Sequence, residues 1–140
     1  MRISKQSEYG LAAILYLATQ PEGKLSLREE IARRCGIPGG FLARILARLR
    51  RRGILGSRRG AHGGYFLRVE PQRLSLADVL EALEGKIGLL RSVEEYSVES
   101  PAESARVQML EAFTRLQERG SDLLKSIKIG ELMSAKGGHA

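Results

Sequence analysis

The stretch Ser26 to Arg52 reads SLREEIARRCGIPGGFLARILARLRRR. Ser26 followed three residues on by Glu29 fits a capping box, in which the hydroxyl accepts a first-turn amide and the carboxylate reaches back to the cap amide. A helix is expected to start there, with Leu27, Ile31 and Cys35 on one face. Gly36-Ile37-Pro38 ends it, because glycine permits a left-handed exit and proline cannot continue the ladder. Leu42, Ile45, Leu46 and Leu49 then recur at i, i+3, i+4 and i+7, and this second stripe closes at Gly53. Two short helices around a tight glycine-containing turn are the pattern of a helix-turn-helix unit.

The second of these helices, about Pro38 to Arg52, presents Gly39, Gly40, Ala43, Arg44, Ala47, Arg48 and Arg51 on its other side. Small residues and long cations alternate there. A helix inserted in a nucleic-acid groove needs small side chains where its backbone nears the wall and arginines that reach phosphates or base edges. The charge around it has the same sense. The chain carries 23 Lys+Arg against 16 Asp+Glu, a formal +7, and residues 1–70 hold 14 of the cations against 5 acids. Between Glu30 and Glu70 there is no acid, and the ten cations there (Arg33, Arg34, Arg44, Arg48, Arg50, Arg51, Arg52, Arg58, Arg59 and Arg68) are all arginine. Guanidinium forks match phosphate oxygens and guanine edges, so such a belt favours nucleic acid over a generic solvated surface.

Toward the N-terminus, Tyr9, Ala12, Ala13, Tyr16 and Leu17 set a helical stripe within Ser7 to Thr19, and Pro21-Glu22-Gly23-Lys24 breaks it as a turn. Gln6, Ser7 and Tyr9, at the positive end of that helix, are candidates for phosphate contact. Toward the C-terminus, Ile54 to Arg59 and Tyr65 to Val69 read as strands flanking Gly60-Ala61-His62-Gly63-Gly64, a β-hairpin or wing whose tip Arg58 and Arg59 flank. Such a tip, with His62 and Gly63, suits a minor groove. Ser75 and Asp78 form a second capping box ahead of Leu76, Val79, Leu80 and Leu83, and Gly85 closes that helix. From Pro101 a long helix carries Met109, Phe113, Leu116, Gly120, Leu123 and Ile127 in alternating four- and three-residue steps. That heptad seam has nowhere to bury itself in so small a chain, so a two-fold partner helix is expected, with Met109, Phe113, Leu116, Leu123 and Ile127 at the dimer interface.

The expected fold is mainly α with a small β-hairpin: a winged helix-turn-helix DNA-binding domain over residues 1–85, a polar loop over 86–100, a dimerisation helix and its end over 101–130, and a flexible tail over 131–140. At 140 residues with 43% hydrophobic content, one domain and its appendage are the limit. No apolar run approaches the ~20 residues of a membrane span, and the start lacks a signal-peptide pattern, so a cytoplasmic protein with no membrane partner is expected. One cysteine cannot form an internal disulfide and falls short of a zinc or cluster ligand set. Cys35 reads as a buried small hydrophobe; the competing role is a redox-sensing thiol, its ionisation favoured by Arg33 and Arg34. His62 and His139 have no ligand partner at metal-binding spacing. No base is paired with a nucleophile, and the carboxylates lie on solvated helix faces, so catalysis is not expected.

The Gly-Ile-Pro turn, the Phe41-Leu42 helix with its Ile45-Leu46-Ala47-Arg48-Leu49 core, the Arg-Gly-x-x-Gly-Gly-Tyr wing, the Ser-Leu-x-Asp-Val-x-x-Ala-Leu-Glu-Gly helix and Ile129-Gly130-Glu131-Leu132 resemble, in order and spacing, the Rrf-two (IscR/NsrR/CymR-like) family of transcription regulators. The resemblance covers nearly the whole chain. It implies a homodimeric winged helix-turn-helix repressor or activator that exchanges long helices and reads double-stranded DNA at an imperfect palindrome. Cluster-binding members carry three cysteines in the region matching Leu89 to Ala105. This chain has none there, so no iron-sulfur cluster and no other cofactor is expected. Ala43 stands where a cluster-sensing member has a base-reading glutamate, and with Gly39 and Gly40 also small, Arg44 and Arg48 become the expected base readers. Arg51, Arg58 and Arg59 are then assigned to the DNA backbone or minor groove. The competing readings are a CymR-like interaction protein dependent on a partner protein, and a non-specific basic DNA binder. The effector would be a protein, a small molecule or the Cys35 thiol.

Overall fold

A computed structural model of the chain describes residues 3–85 and 102–134; the expected loop at 86–100 and the end of the expected tail lie outside them. Helix α1 runs Lys5–Ala18, begun by Ser4, whose hydroxyl accepts from the Ser7 amide at 3.2 Å. It starts before the expected Ser7 because the polar residues ahead of the apolar stripe still form a capped first turn. Helix α2 spans Arg28–Cys35 and helix α3 Gly39–Arg51. Gly36 sits between them at φ 65°, and the Ile37 amide reaches back to the Ala32 carbonyl at 2.9 Å, a left-handed exit that only glycine adopts cheaply.

The expected capping box on Ser26 does not form. Leu27 occupies the cap position without a side-chain bond, while Ser26 pairs through both backbone groups with Tyr65, at 2.9 and 2.8 Å. The wing claims the Ser26 backbone, and its Oγ is buried with no hydrogen-bond partner among the described residues. Leu27, placed by the sequence on the buried face, is 52% exposed. Strands β1 (Leu55–Arg58) and β2 (Gly64–Leu67) form the expected antiparallel hairpin, with Leu55 opposite Leu67 and Arg58 opposite Gly64.

Helix α4 covers Leu76–Glu84 and opens with the expected Ser75–Asp78 box, both bonds at 3.0 Å. Helix α5 runs Ala102–Ser126, and helix α6, Ile129–Ser134, lies in part where a flexible tail was expected. Ile129 anchors that last turn by being fully buried. The core forms where α1, α2, α3 and α4 meet: Ile14, Ile31, Leu42, Ile45, Leu46, Leu49, Leu55 and Val79 have no exposure. Burying each such side chain stabilises the fold by about 1.5–3 kcal/mol.

Candidate nucleic-acid interface

The four-residue stripe Leu42, Ile45, Leu46 and Leu49 locks α3 into the core and thereby fixes which face looks out. On that face Gly39 and Gly40 are exposed, and a Cβ added to either would meet nothing within 4 Å. Packing within the chain gives no reason for the absence of a side chain at these two first-turn residues. Their smallness suits a surface approaching from outside. The Arg44 guanidinium lies 5.6 Å from the Phe41 ring centroid, and Phe41 meets Tyr9 edge-on at 5.6 Å. This aromatic platform holds the Arg44 side chain without consuming its donors. Arg51 is exposed, its Nε donating to the Ala47 carbonyl at 3.5 Å.

Arg48, expected as a base reader, is already engaged within the chain through one of its donors. Its Nη1 donates to the Leu83 carbonyl at 2.9 Å, at the C-terminal turn of α4. Arg50 points to another side, donating to Ser57 Oγ of β1 at 3.4 Å. All ten arginines between Glu30 and Glu70 are exposed, and none forms an ion pair among the described residues. They are not one continuous belt. Arg44, Arg48 and Arg51 share the outer face of α3, and Arg48, Arg51 and Arg52 border a hollow of about 470 Å³ against the end of α4. Arg58 and Arg68 instead line a groove beside Lys24 and the end of α1.

At the wing tip Arg58, Arg59, Gly60, Ala61 and His62 are exposed. Gly63 is buried, and a Cβ there would sit 2.3 Å from the Arg58 carbonyl oxygen, so this residue shapes the turn rather than offering a contact surface. The turn closes through the Gly63 amide and the Gly60 carbonyl at 3.0 Å. Because Ser26, just before α2, pairs with Tyr65, and the Ile54 amide, just before β1, donates to the Leu49 carbonyl of α3 at 3.0 Å, the wing is tied by backbone bonds to the start of α2 and the end of α3. Ser7, a candidate for phosphate contact, is 1% exposed and donates to Glu84 Oε1 at 2.6 Å.

The polar clasps that sequence reading did not foresee lie at α1's two ends. Ser4 and Ser7 hydroxyls both donate to Glu84, which holds its carboxyl below the usual carboxylate range. Tyr16 donates to Glu30 Oε1 at 2.6 Å, and Lys24 meets the same oxygen at 3.2 Å; the Tyr16 bond, then that of Lys24, lowers the Glu30 carboxyl. Each joins side chains far apart in sequence, so no local spacing signals them. Cys35 is half-buried, with Sγ 3.7 Å from the Ala12 carbonyl oxygen, and burial pushes its thiol up rather than activating it.

Helix α5 presents a different surface. Met109, Phe113, Leu116 and Leu123 are 52, 40, 54 and 60% exposed. Ile127, expected on the same seam, lies past the helix end and is half-buried, its carbonyl accepting from the Leu76 amide at 2.8 Å. No helix among the described residues is long and apolar enough to cross a membrane.

A helix-turn-helix with an attached hairpin, an outward arginine face and an appended amphipathic helix defines a winged helix-turn-helix transcription regulator. The chain belongs to the Rrf2 family: the family model described as "Iron-dependent Transcriptional regulator" matches residues 3–135. Among its relatives is the HTH-type transcriptional regulator CymR of Bacillus subtilis, 32% identical over 135 residues, 96% of this chain and 91% of that protein. The putative HTH-type regulator slr0846 of Synechocystis is 42% identical over 84 residues, 60% of this chain. The match spans only 57% of slr0846 and 58% of each of two Mycobacterium tuberculosis relatives. Among solved structures, CymR (YrzC), the global cysteine regulator of B. subtilis, superposes with a TM-score of 0.77 at 28% identity, covering 96% of this chain and 97% of that one. The IscR of T. potens does so at 0.74 and 26%, covering 100% and 92%. Among the described residues no set of donors fits the iron in the family description. The chain has one cysteine, and no group of three His, Cys, Asp or Glu among the described residues could hold a metal ion.

Proposed function

We propose that this chain is a sequence-specific DNA-binding repressor, working as a homodimer on an imperfect palindrome and without an iron-sulfur cluster. Helix α3 enters the major groove by its Gly39, Gly40 and Arg44 face, and the tip from Arg58 to His62 meets the adjoining minor groove. Arg44 reads base edges, and Arg51, Arg58 and Arg59 hold phosphates. The observation that carries this reading is an outward helix face with two glycines that packing does not require and arginines that form no ion pair among the described residues. The α5 seam supplies the two-fold contact, since four large apolar side chains stay exposed in one copy. The protein acts on the chromosome, in the cytoplasm, and answers to a protein or small-molecule effector. Selection of duplexes from a random pool tests the proposal. Enrichment of a two-fold-symmetric site with half-sites about one helical turn apart supports it; recovery of unrelated sequences with equal affinity contradicts it.

A further inference from the structure

Helix α4 is gripped at both ends, by different parts of the molecule. At its start, the Leu76 amide donates to the Ile127 carbonyl and the Ile129 amide to the Leu74 carbonyl, both at 2.8 Å, forming a bridge between Ser75 and Lys128. The end of α5 is therefore tied by backbone bonds to the cap of α4. At the other end, the first turn of α1 holds Glu84 through Ser4 and Ser7. The recognition helix holds the preceding residue, through Arg48 Nη1 and the Leu83 carbonyl. The Leu83 side chain meanwhile lies so close to α1 that a Cβ on Gly10 would stand 2.3 Å from its Cδ1.

The last carbonyls of a helix lack partners inside it and carry the negative end of its dipole, so a guanidinium is a strong ligand for them. A bond from mid-α3 to the end of α4 resists rotation of α3 about its own axis. That rotation sets which side chains of an inserted helix face the bases. Resting on the DNA-binding reading above, we infer that Arg48 is a positioning residue, through which α4 couples the recognition helix to the long helix α5, rather than a reader of bases. Coupling of this kind is reciprocal: DNA held by α3 tightens the end of α4, and a change in the seating of α5 alters the fit of α3 to its site.

The test uses the full-length protein, duplexes selected by the wild-type protein from a random pool, and two variants. Arg48→Met keeps the length of the stem and removes the donors; Arg48→Lys keeps one donor. Hydrogen exchange over residues 76–85 is measured with and without the duplex. In wild type, DNA slows exchange at the end of α4. Arg48→Met abolishes that slowing and weakens matched and single-base-variant duplexes alike, by about tenfold, with the salt dependence unchanged. Arg48→Lys restores most of both effects. A role in stability alone would leave the DNA-induced slowing in place. Three results overturn the inference while leaving DNA binding intact: Arg48→Met reorders the preference among base variants, it flattens the salt dependence, or it leaves exchange and affinity as in wild type. Failure of the wild-type protein to bind any selected duplex overturns the DNA-binding reading and the inference with it.

Discussion

Helices α3 and α5 are both amphipathic, and they dispose of their apolar faces in opposite ways. In α3 the apolar stripe is wholly inside the domain, packed with α1, α2 and α4, and the outward face is cationic. In α5 the large apolar residues Met109, Phe113, Leu116 and Leu123 remain outward, with Glu111, Arg115, Glu118 and Arg119 around them. The first helix is completed by its own chain and turns its cations to the outside. The second is not completed by the described residues of its own chain. A single sequence pattern, an apolar stripe of helical period, thus serves the core in one place and an unfilled seam in the other, and the surrounding architecture decides which.

The widest separation between the two surfaces is in salt dependence. With ~6–10 phosphates held per dimer, duplex affinity falls by about 10³–10⁵ between roughly 50 and 200 mM salt. Self-association through the apolar seam changes little over that range, as sedimentation at each salt concentration would show. The next contrast is between core and seam. Ile45→Ala removes buried methyl groups and lowers unfolding stability by about 2–5 kcal/mol. Phe113→Glu leaves the fold of a subunit intact but weakens self-association on the order of 100-fold. Chemical denaturation and sedimentation equilibrium of both variants separate the two effects.

Within the cationic surface, Arg44→Ala costs about 1–3 kcal/mol on the preferred duplex and relaxes its base preference at one position per half-site. Arg59→Ala weakens preferred and scrambled duplexes together and lowers the salt slope. Binding titrations on matched and scrambled DNA check the division. The smallest effect concerns the clasp at the end of α4. Hydrogen bonds from Ser4 and then Ser7 lower the Glu84 carboxyl from its ordinary value of 4.5. Its contribution is therefore complete above that value and disappears as pH falls through the lower folded one. The melting-temperature difference between wild type and Glu84→Ala should be constant near neutrality and close in acid.

Features with a local signature were readable in the chain itself: the α3 stripe, the Gly36 exit, the Ser75–Asp78 box and the glycine-rich wing. Where a residue had a local and a distant claim on it, the distant one was invisible. Ser26 has the spacing of a cap, yet pairing with Tyr65 takes its backbone instead. Ile127 continues a heptad, yet a backbone bond to Leu76 holds the chain beyond the end of α5. Arg48 has the helical position of a base reader, and its carbonyl partner lies 35 residues away. Among the candidate site residues, the sequence named the exposed cations of α3 and the wing tip. It could not tell which of them were already engaged, because a bond to a main-chain carbonyl leaves no mark on residue type.

The account stands on the outward face of α3 lying against duplex DNA. The most direct measurement places a photocrosslinking side chain at Gly40, where the added bulk meets no neighbour, and separately at exposed Arg119 of α5, with a selected duplex present. Crosslinks to DNA from position 40, competed away by unlabelled duplex and absent from position 119, are the predicted result. Equal yields from both positions, or none from position 40 while DNA stays bound, would contradict it.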